Sequence, residues 1–223
     1  ANSRISLSNN DGNSYNTVFG KNAFVDDNQD VLGNIGADYN TAIGEQAMGT
    51  GDTTDATHNV AVGYKSLEDI IDGKYNTGIG AESLAANTSG THNTAIGYGA
   101  LFTNATTNYN TAVGVDSGSL TTGASNTYVG FSAGKGASGA EVSNVGVGKN
   151  TLYSVTTGSS NVIVGKDAGN AITDCNKTVL VGDNAGAAIT VTNGTASDGT
   201  VAIGYTALTA LTSGAGNTAV GYT

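Results

Sequence analysis

A five-residue phrase, Asn-Thr-Ala-(Ile/Val)-Gly, recurs twelve times along the 223-residue chain. A clean copy is Asn93–Gly97, and six of the eleven intervals between closing glycines are 17 residues long. The closing glycines are Gly20, Gly44, Gly63, Gly80, Gly97, Gly114, Gly130, Gly148, Gly165, Gly182, Gly204 and Gly221. Self-similarity at a short, nearly fixed period is typical of a solenoid, in which each repeat forms one coil. We therefore predict an all-β repeat solenoid, a parallel β-roll or β-helix with coils of ~17 residues.

Alignment of the copies on the closing glycine separates them into columns of different chemistry. The residue three before the glycine is Thr or Val in every copy (the Thr/Val column). The residue one before it is Ile or Val, except for Phe19 in the first copy (the Ile/Val column). Between them lies a mostly small residue (the Ala column), with Val18, Tyr128, Ile163 and Leu180 as larger exceptions. Because the two β-branched columns share one strand face, we expect this bulky face to fill the coil and the small face to let another backbone approach.

Other columns predict the corners of the coil. Four residues before the glycine stands Asn in ten copies, with Thr178 and Thr200 as exceptions (the Asn column). Stacked amides of this kind form hydrogen-bonded ladders, and the glycine marks a corner that needs positive φ or no side chain. Four residues after the glycine stands either a large apolar residue, such as Leu67, or a glycine, such as Gly134 (the Leu column). We expect this second segment to be a strand that faces the first across a narrow coil. The residues expected to build the repeat are Asn40, Ala42, Ile43, Gly44, Asn93, Ala95, Ile96, Gly97, Asn110, Ala112, Val113 and Gly114.

The chain divides into a short lead-in and one long solenoid. Residues 1–14 form the lead-in, in which the alternation over Arg4–Ser8 predicts a strand before a turn. Residues 15–223 form the solenoid of about twelve coils, and we interpret the chain as a fragment of a longer fibre. Long intervals predict inserts at residues 26–38, 49–57 and 187–199, and insertions in solenoids form projecting loops.

Composition excludes several classes of function. The net charge is −10 and only eight residues are Lys or Arg, so nucleic-acid binding is not expected. No run of about 18 apolar residues is present, so membrane insertion is not expected either. The single Cys175 cannot form a disulfide within the chain.

The thin interior of each coil predicts self-association. A coil offers its core only a few inward side chains, and small cores are marginally stable. The small face of the strand must also be covered. The simplest solution is parallel association of identical chains about an axis along the stack. Three copies would bring three small faces together, and a two-fold or single-chain arrangement is left open.

The phrases Tyr39–Gly44 and His92–Leu101 resemble repeats of bacteriophage tail fibres and tail spikes. Val60–Gly63 and Val201–Gly204 are similar to the head repeats of trimeric autotransporter adhesins, which carry Val-Ala-Ile-Gly. The resemblance covers residues 15–223 and implies a homotrimer of left-handed parallel β-rolls in a surface appendage. The 17-residue period and the frequent Thr of the Thr/Val column depart from the adhesin pattern and favour the phage fibre.

This resemblance implies a structural and adhesive segment of a trimeric bacteriophage tail fibre, in the tail appendage of the virion, that spaces or presents host-receptor binding. One alternative is the head domain of a bacterial adhesin at the cell surface, and another is a polysaccharide-degrading tail spike. Such hydrolysis needs two carboxylates about 5–9 Å apart, and the acidic residues here share no column. We therefore expect no enzymatic activity and no cofactor, with identical chains and a host surface polysaccharide or protein as partners.

The insert at residues 26–38 carries the candidate receptor-binding residues, because recognition commonly uses loops on a rigid scaffold. These residues are Asp26, Asp27, Asp30, Val31 and Leu32. The alternative is that the insert packs on the first coils and caps the stack. The acidic run resembles half of a calcium loop, but valine stands where that loop needs glycine, so a solvated acidic loop is favoured.

Two histidines occupy one column, five residues before the glycine (the ring column). Its aromatic members are Tyr15, Tyr39, His58, Tyr75, His92 and Tyr109. Zinc needs three or four ligands, and the sequence contains no Cys/His cluster. We therefore predict a stack of planar side chains along one corner, without a metal.

Overall fold

The computed structural model describes residues 4–6, 15–24, 36–49, 53–136, 139–190 and 197–223. Every regular element in these ranges is a β-strand, and the chain divides into two compact units, residues 1–110 and 111–223. In each unit, one short strand per coil stacks on the strand of the next coil, so each unit is a β-solenoid. This confirms the predicted all-β repeat solenoid.

The first unit combines the lead-in strand with five parallel strands. Its strands are β1 (Arg4–Ser6), β2 (Thr17–Gly20), β3 (Thr41–Ile43), β4 (Val60–Val62), β5 (Thr77–Ile79) and β6 (Thr94–Ile96). The lead-in strand β1 runs antiparallel to β2 and places Ile5 opposite Phe19. From β2 onward the strands are parallel and in register, so that Thr77 lies opposite Thr94 and each column stacks on itself.

The second unit contains seven parallel strands in the same register. They are β7 (Thr111–Val113), β8 (Thr127–Val129), β9 (Val145–Val147), β10 (Val162–Val164), β11 (Val179–Val181), β12 (Val201–Ile203) and β13 (Thr218–Val220). Leu180 of β11 lies opposite Ala202 of β12, so a large and a small member of the Ala column are neighbours. All twelve copies of the repeat therefore form strands at the predicted positions.

The strand faces are oriented opposite to the prediction. Ala61 and Ala95 are fully buried, whereas Ile43 and Ile96 keep 37% and 38% of their surface exposed. The Ala column therefore lines the coil, and the two β-branched columns face outward. The reason is the Asn column, which lies two residues from the Ala column and so on the same strand face. The amides are buried in the coil and bring the Ala column inward with them.

The predicted amide ladder is confirmed in both units. Oδ1 of Asn59 accepts hydrogen bonds from the backbone N–H of Asn76 at 2.9 Å and from its Nδ2 at 3.1 Å. Nδ2 of Asn76 also donates to the carbonyl of Gly90 at 2.7 Å, while its Oδ1 accepts from the backbone N–H of Asn93 at 3.0 Å. The second unit repeats this pattern through Asn126, Asn144 and Asn161. Burial of these polar groups is tolerated because each one has partners.

The Ala and Leu columns fill one shared space inside each coil. In most coils where the Ala column is small, as at Ala61, the Leu column is large, as at Leu67, and both are fully buried; the coil with Ala112 and Gly118 is an exception. At Leu180 the sizes are reversed, because the Ala column is large and the Leu column holds Gly186. A Cβ added to Gly186 would lie 2.7 Å from Cδ1 of Leu180. The same exchange pairs Tyr128 with Gly134 and Ile163 with Gly169. Since cores are close-packed, the large residue in these three coils is accommodated at one of the two positions but not at both.

The segment after the closing glycine is a turn rather than the predicted second strand. Lys65 and Leu67 adopt left-handed φ values of 56° and 51°, and equivalent residues in other coils repeat them. The turns still bond coil to coil, because the N–H of Leu67 donates to the carbonyl of Ser83 at 3.0 Å. At the corner, Gly80 has a φ of 130°, and a Cβ there would lie 2.6 Å from the carbonyl oxygen of Gly97. The closing glycine therefore marks a corner without room for a side chain, as predicted.

Candidate assembly and binding surface

The outer face, defined as the Thr/Val and Ile/Val columns of the strands, is uncharged, largely apolar and partly exposed. Ile43, Ile79 and Ile96 are all exposed, and Phe19 keeps about half of its surface open to solvent. Each residue is covered only in part by its neighbours in the same column, because the coil interior lies on the other side of the strand. Contiguous exposed apolar surface of this kind marks an interaction site.

The outer face of strands β2–β13 contains Thr, Val, Ile and Phe but no charged residue. The charges that give the chain its net value of −10 lie elsewhere, many of them on the turns. Several are paired there, for example Lys65 with Glu68 at 2.8 Å and Lys135 with Asp116 at 3.1 Å. An uncharged face on an acidic chain can meet an identical face without repulsion between like charges.

The ring column forms a continuous stack along one corner of the first unit. Successive ring centroids from Tyr15 to Tyr109 lie 4.9 to 5.2 Å apart, with interplanar angles of 5° to 29°. This confirms the predicted stack of planar side chains. The inner members cover both faces of one another, so they cannot offer those faces to a ligand. His58 and His92 are separated by the ring of Tyr75 and do not converge on one point.

The residues described by the structure include no group of three His, Cys, Asp or Glu side chains that could share a metal ion. Cys175 is buried, and burial raises the pKa of its thiol to about 12. Its carbonyl accepts a hydrogen bond from Nδ2 of Asn161 at 2.7 Å, so its backbone belongs to the amide ladder. Cys175 is therefore a core residue held in its thiol form.

The structure places the twelve repeat residues in four settings. The amide ladder contains Asn40, Asn93 and Asn110. The coil wall contains Ala42, Ala95 and Ala112. The corners, with φ between 132° and 135°, contain Gly44, Gly97 and Gly114. The outer face contains Ile43, Ile96 and Val113, which were expected inside the coil.

The candidate receptor-binding residues Asp26, Asp27, Asp30, Val31 and Leu32 lie outside the described residues. Their role therefore remains a prediction. The described end of the same insert joins the first coils, because Nδ2 of Asn16 donates to the carbonyl of Ala37 at 2.7 Å.

A buried carboxyl group is the feature that sequence reasoning missed. Glu141 is fully buried, and neither of its carboxylate oxygens has a hydrogen-bond partner with good geometry; the nearby Thr121 hydroxyl and the backbone N–H of Glu141 offset the effect of burial only in part. Burial raises the pKa of Glu141 to about 7. Burial also raises the pKa of the Tyr128 hydroxyl above its usual range, and the nearby Glu141 carboxylate adds to this rise. The signal was present in the sequence, because glycines such as Gly123 and Gly158 occupy the position of Glu141 in neighbouring coils.

We expect the stability of the second unit to fall as the pH rises from about 4.5 to about 7. Below the ordinary value of 4.5, Glu141 is protonated in both the folded and the unfolded chain. Between the two pKa values only the unfolded chain ionises, so stability decreases by roughly 3 kcal/mol and then levels off.

Denaturant unfolding of the wild type and of Glu141→Gln across this pH range measures the effect. The difference in unfolding free energy between Glu141→Gln and the wild type should change with pH. The exposed control Glu45→Gln should show the same pH dependence of stability as the wild type. A difference independent of pH would contradict the buried, unpaired state of Glu141.

Within the part of the chain that the structure describes, no helix is long and apolar enough to cross a bilayer. In comparisons with known proteins, no family model, no curated protein and no solved structure matches this chain.

Proposed function

We propose that the chain is a structural and adhesive segment of a homotrimeric bacteriophage tail fibre, which spaces or presents host-receptor binding. The observation that carries this proposal is the outer face: an uncharged, partly exposed, β-branched surface on a regular solenoid of an otherwise acidic chain. A second and a third copy of the same chain are the partners that we propose for it.

The register of the strands supports association of identical copies. Within each unit every column stacks on itself, so the same outer-face residues recur at each coil, as Ile79 and Ile96 do on paired strands. Two copies that meet in parallel, matched coil for coil, can therefore repeat one favourable contact along the stack. The number three comes from the resemblance to phage fibre repeats.

The adhesive part of the proposal rests on the contrast between the wall and its insertions. A hydrogen-bonded stack of similar coils is a stiff spacer, and loops on such a scaffold are suited to recognition. Three copies would present each insert three times, and multivalency can raise avidity by roughly 10²–10⁴. The insert at residues 26–38 is the one that we propose for the receptor.

We expect Ile96→Asp to dissociate the oligomer. Its side chain is 38% exposed on the outer face, so in one chain the carboxylate would reach water, but in the assembly it would be buried without a partner. Light scattering coupled to size exclusion should show the mass fall from three chains of 22.0 kDa to one. Phe102→Asp is the matched control, because Phe102 is 39% exposed but lies outside the outer face, and it should keep the trimer. A wild-type protein that remains a monomer at high concentration would refute the proposal.

A further inference from the structure

Two rows of side chains flank the outer face, one at each end of the strands. One is the ring column, and the other is the residue directly after each closing glycine (the corner row), for example Tyr205 after Gly204. In one chain the two residues of a coil are six positions apart with the strand between them, which separates them by up to about 20 Å. A Cβ added to Gly199 of the ring column would have no heavy atom within 4 Å, so this position does not contact Tyr205 of its own coil.

The two rows are complementary in size from coil to coil. In the first unit His58 stands with Tyr64 in one coil, whereas the larger Tyr75 stands with Ala81 in the next. None of the twelve coils carries Tyr or Phe in both rows, and none carries Gly, Ala or Ser in both. Close-packed contacts need matched volumes, and the two residues do not meet within a chain. The pattern therefore indicates a contact between chains.

The two rows are also complementary in charge. One of the twelve coils carries a charged residue in both rows, and these residues are Lys177 and Asp183, which have opposite signs. Lys177 is exposed, and Oδ1 of Asp183 lies 3.9 Å from Nζ of Lys166 in the same chain. Opposite charges at facing positions favour association and fix the register of an interface.

Parallel association of identical copies brings the two rows together. A rotation axis along the stack keeps the direction of every strand, so the ring-column edge of one outer face meets the corner-row edge of the next. Such an interface is heterologous, because the two contacting patches differ, and cyclic symmetry closes it into a ring. The same pairing follows for two copies and for three. When the copies are matched coil for coil, the residues that meet belong to the same coil of neighbouring chains.

We infer that neighbouring copies are joined along a seam, in which each ring-column residue packs against the corner-row residue of the same coil in the next copy. Tyr205 of one copy fills the open space at Gly199 of its neighbour, and Lys177 pairs with Asp183 in the same way. This inference rests on the proposed association of identical copies and deepens it, because it names the residues that set the register.

The register needs such a device because the outer face repeats the same residue types at every coil and fits equally well after a slip. The seam does not. A slip of one coil in one direction sets Tyr75 against Tyr64 and Lys177 against Lys166, and a slip in the other direction sets Tyr75 against Tyr98. Each slip therefore places two large rings or two like charges at one position.

Gly199→Tyr tests the seam because it changes little within one chain. Gly199 has a φ of 69°, and Tyr75 adopts a φ of 58° at the same position of its own coil, so the backbone accepts tyrosine there. In the assembly the added ring would meet Tyr205 of the neighbouring copy. We expect the variant to fold, as circular dichroism would show, but to raise the concentration needed for half-assembly by roughly tenfold or more. Light scattering coupled to size exclusion over a dilution series measures this change.

Tyr205→Ala added to Gly199→Tyr should restore assembly, since a tyrosine of the ring column then faces an alanine, as in a coil of the first unit. The matched control adds Tyr222→Ala instead, because Tyr222 lies in the same row and stacks on Tyr205 at 5.1 Å but belongs to the next coil. That control should leave assembly weak. Gly216→Tyr, at a φ of 67°, provides the reciprocal test, which Tyr222→Ala should rescue and Tyr205→Ala should not.

Charge reversal tests the seam at another coil. Lys177→Asp should weaken assembly at low salt, because two carboxylates would face each other, and high salt should reduce the effect. Asp183→Lys added to the same chain should restore assembly. The effect of Gly199→Tyr is steric and should not depend on salt.

The seam and the proposed function can fail separately. An oligomer that Gly199→Tyr leaves intact, or that Tyr205→Ala and Tyr222→Ala rescue equally, would refute the seam and leave the association of copies in place. A parallel dimer with specific rescue would refute the number three and leave the seam in place. A wild type that remains a monomer would refute the proposed function and the seam with it.

Discussion

Combining Leu180→Ala with Gly186→Leu is expected to restore most of the stability that each substitution removes alone. Leu180→Ala empties a fully buried site and should cost about 2–5 kcal/mol. Gly186→Leu alone inserts a side chain where even a Cβ would lie 2.7 Å from Leu180 and should cost about 1–3 kcal/mol or more. Together they recreate the arrangement of the next coil, in which Ala202 is buried beside Leu208 at a φ of 54°. The double variant should therefore lie within about 2 kcal/mol of the wild type.

Denaturant unfolding of the four proteins measures the coupling between the two sites. Gly118→Leu combined with Leu180→Ala is the control, because Gly118 lies four coils away and fills no space next to Leu180. Effects at that distance should add within about 0.5 kcal/mol. If the Leu180 and Gly186 effects also add, the two columns do not share one space.

Asn76→Leu is expected to destabilise the first unit by about 3 kcal/mol or more, because it leaves several buried polar groups without partners. Oδ1 of Asn76 accepts from the backbone N–H of Asn93 at 3.0 Å, and Nδ2 donates to the carbonyl of Gly90 at 2.7 Å. Leucine has a similar size but neither donates nor accepts. Asn76→Thr should cost less, because Thr200 in the same column donates to the carbonyl of Gly214 at 3.3 Å.

Amide hydrogen exchange provides a local readout of this loss. The N–H of Asn93 should exchange faster in Asn76→Leu than in the wild type, since its acceptor has been removed. The N–H of Asn76 itself, which donates to Asn59, should be affected less. Equal stability of the leucine and threonine variants would show that the side-chain bonds of the Asn column do not hold the coil.

The repeat phrase was sufficient to predict the strands, their parallel register, the amide ladder and the ring stack. It was not sufficient to predict which strand face lines the coil, because the prediction placed Ile43 and Ile96 inside by their bulk. Their alternation with the Asn column would have placed them outside. A buried amide at Asn93 places Ala95 inside and Ile96 outside, whatever their sizes. The second strand was wrong for a different reason: Leu67 adopts a left-handed φ that is rarely assigned to leucine from sequence.

Two features of the interior could be predicted only in part. In the sequence, Tyr128 is unusually large for the Ala column and Gly134 is unusually small for the Leu column. Only the structure shows that the two departures belong together, because the two positions share one space inside the coil. Glu141 appears as an acidic residue in a column of small ones, yet its raised pKa follows from complete burial, which no spacing reveals. The residues of the insert at 26–38 follow no repeat, so their placement could not be derived from the period.

The shared volume inside each coil also affects how such a gene can change over time. Leu180 and Gly186 lie six residues apart in the same coil, so duplication or deletion of one whole coil carries both members of the pair together. A point mutation changes only one of them and leaves either a void or a clash. We therefore expect related lineages to differ in length by whole coils more readily than in the size of a single interior residue. Recombination between coils would supply most of their variation.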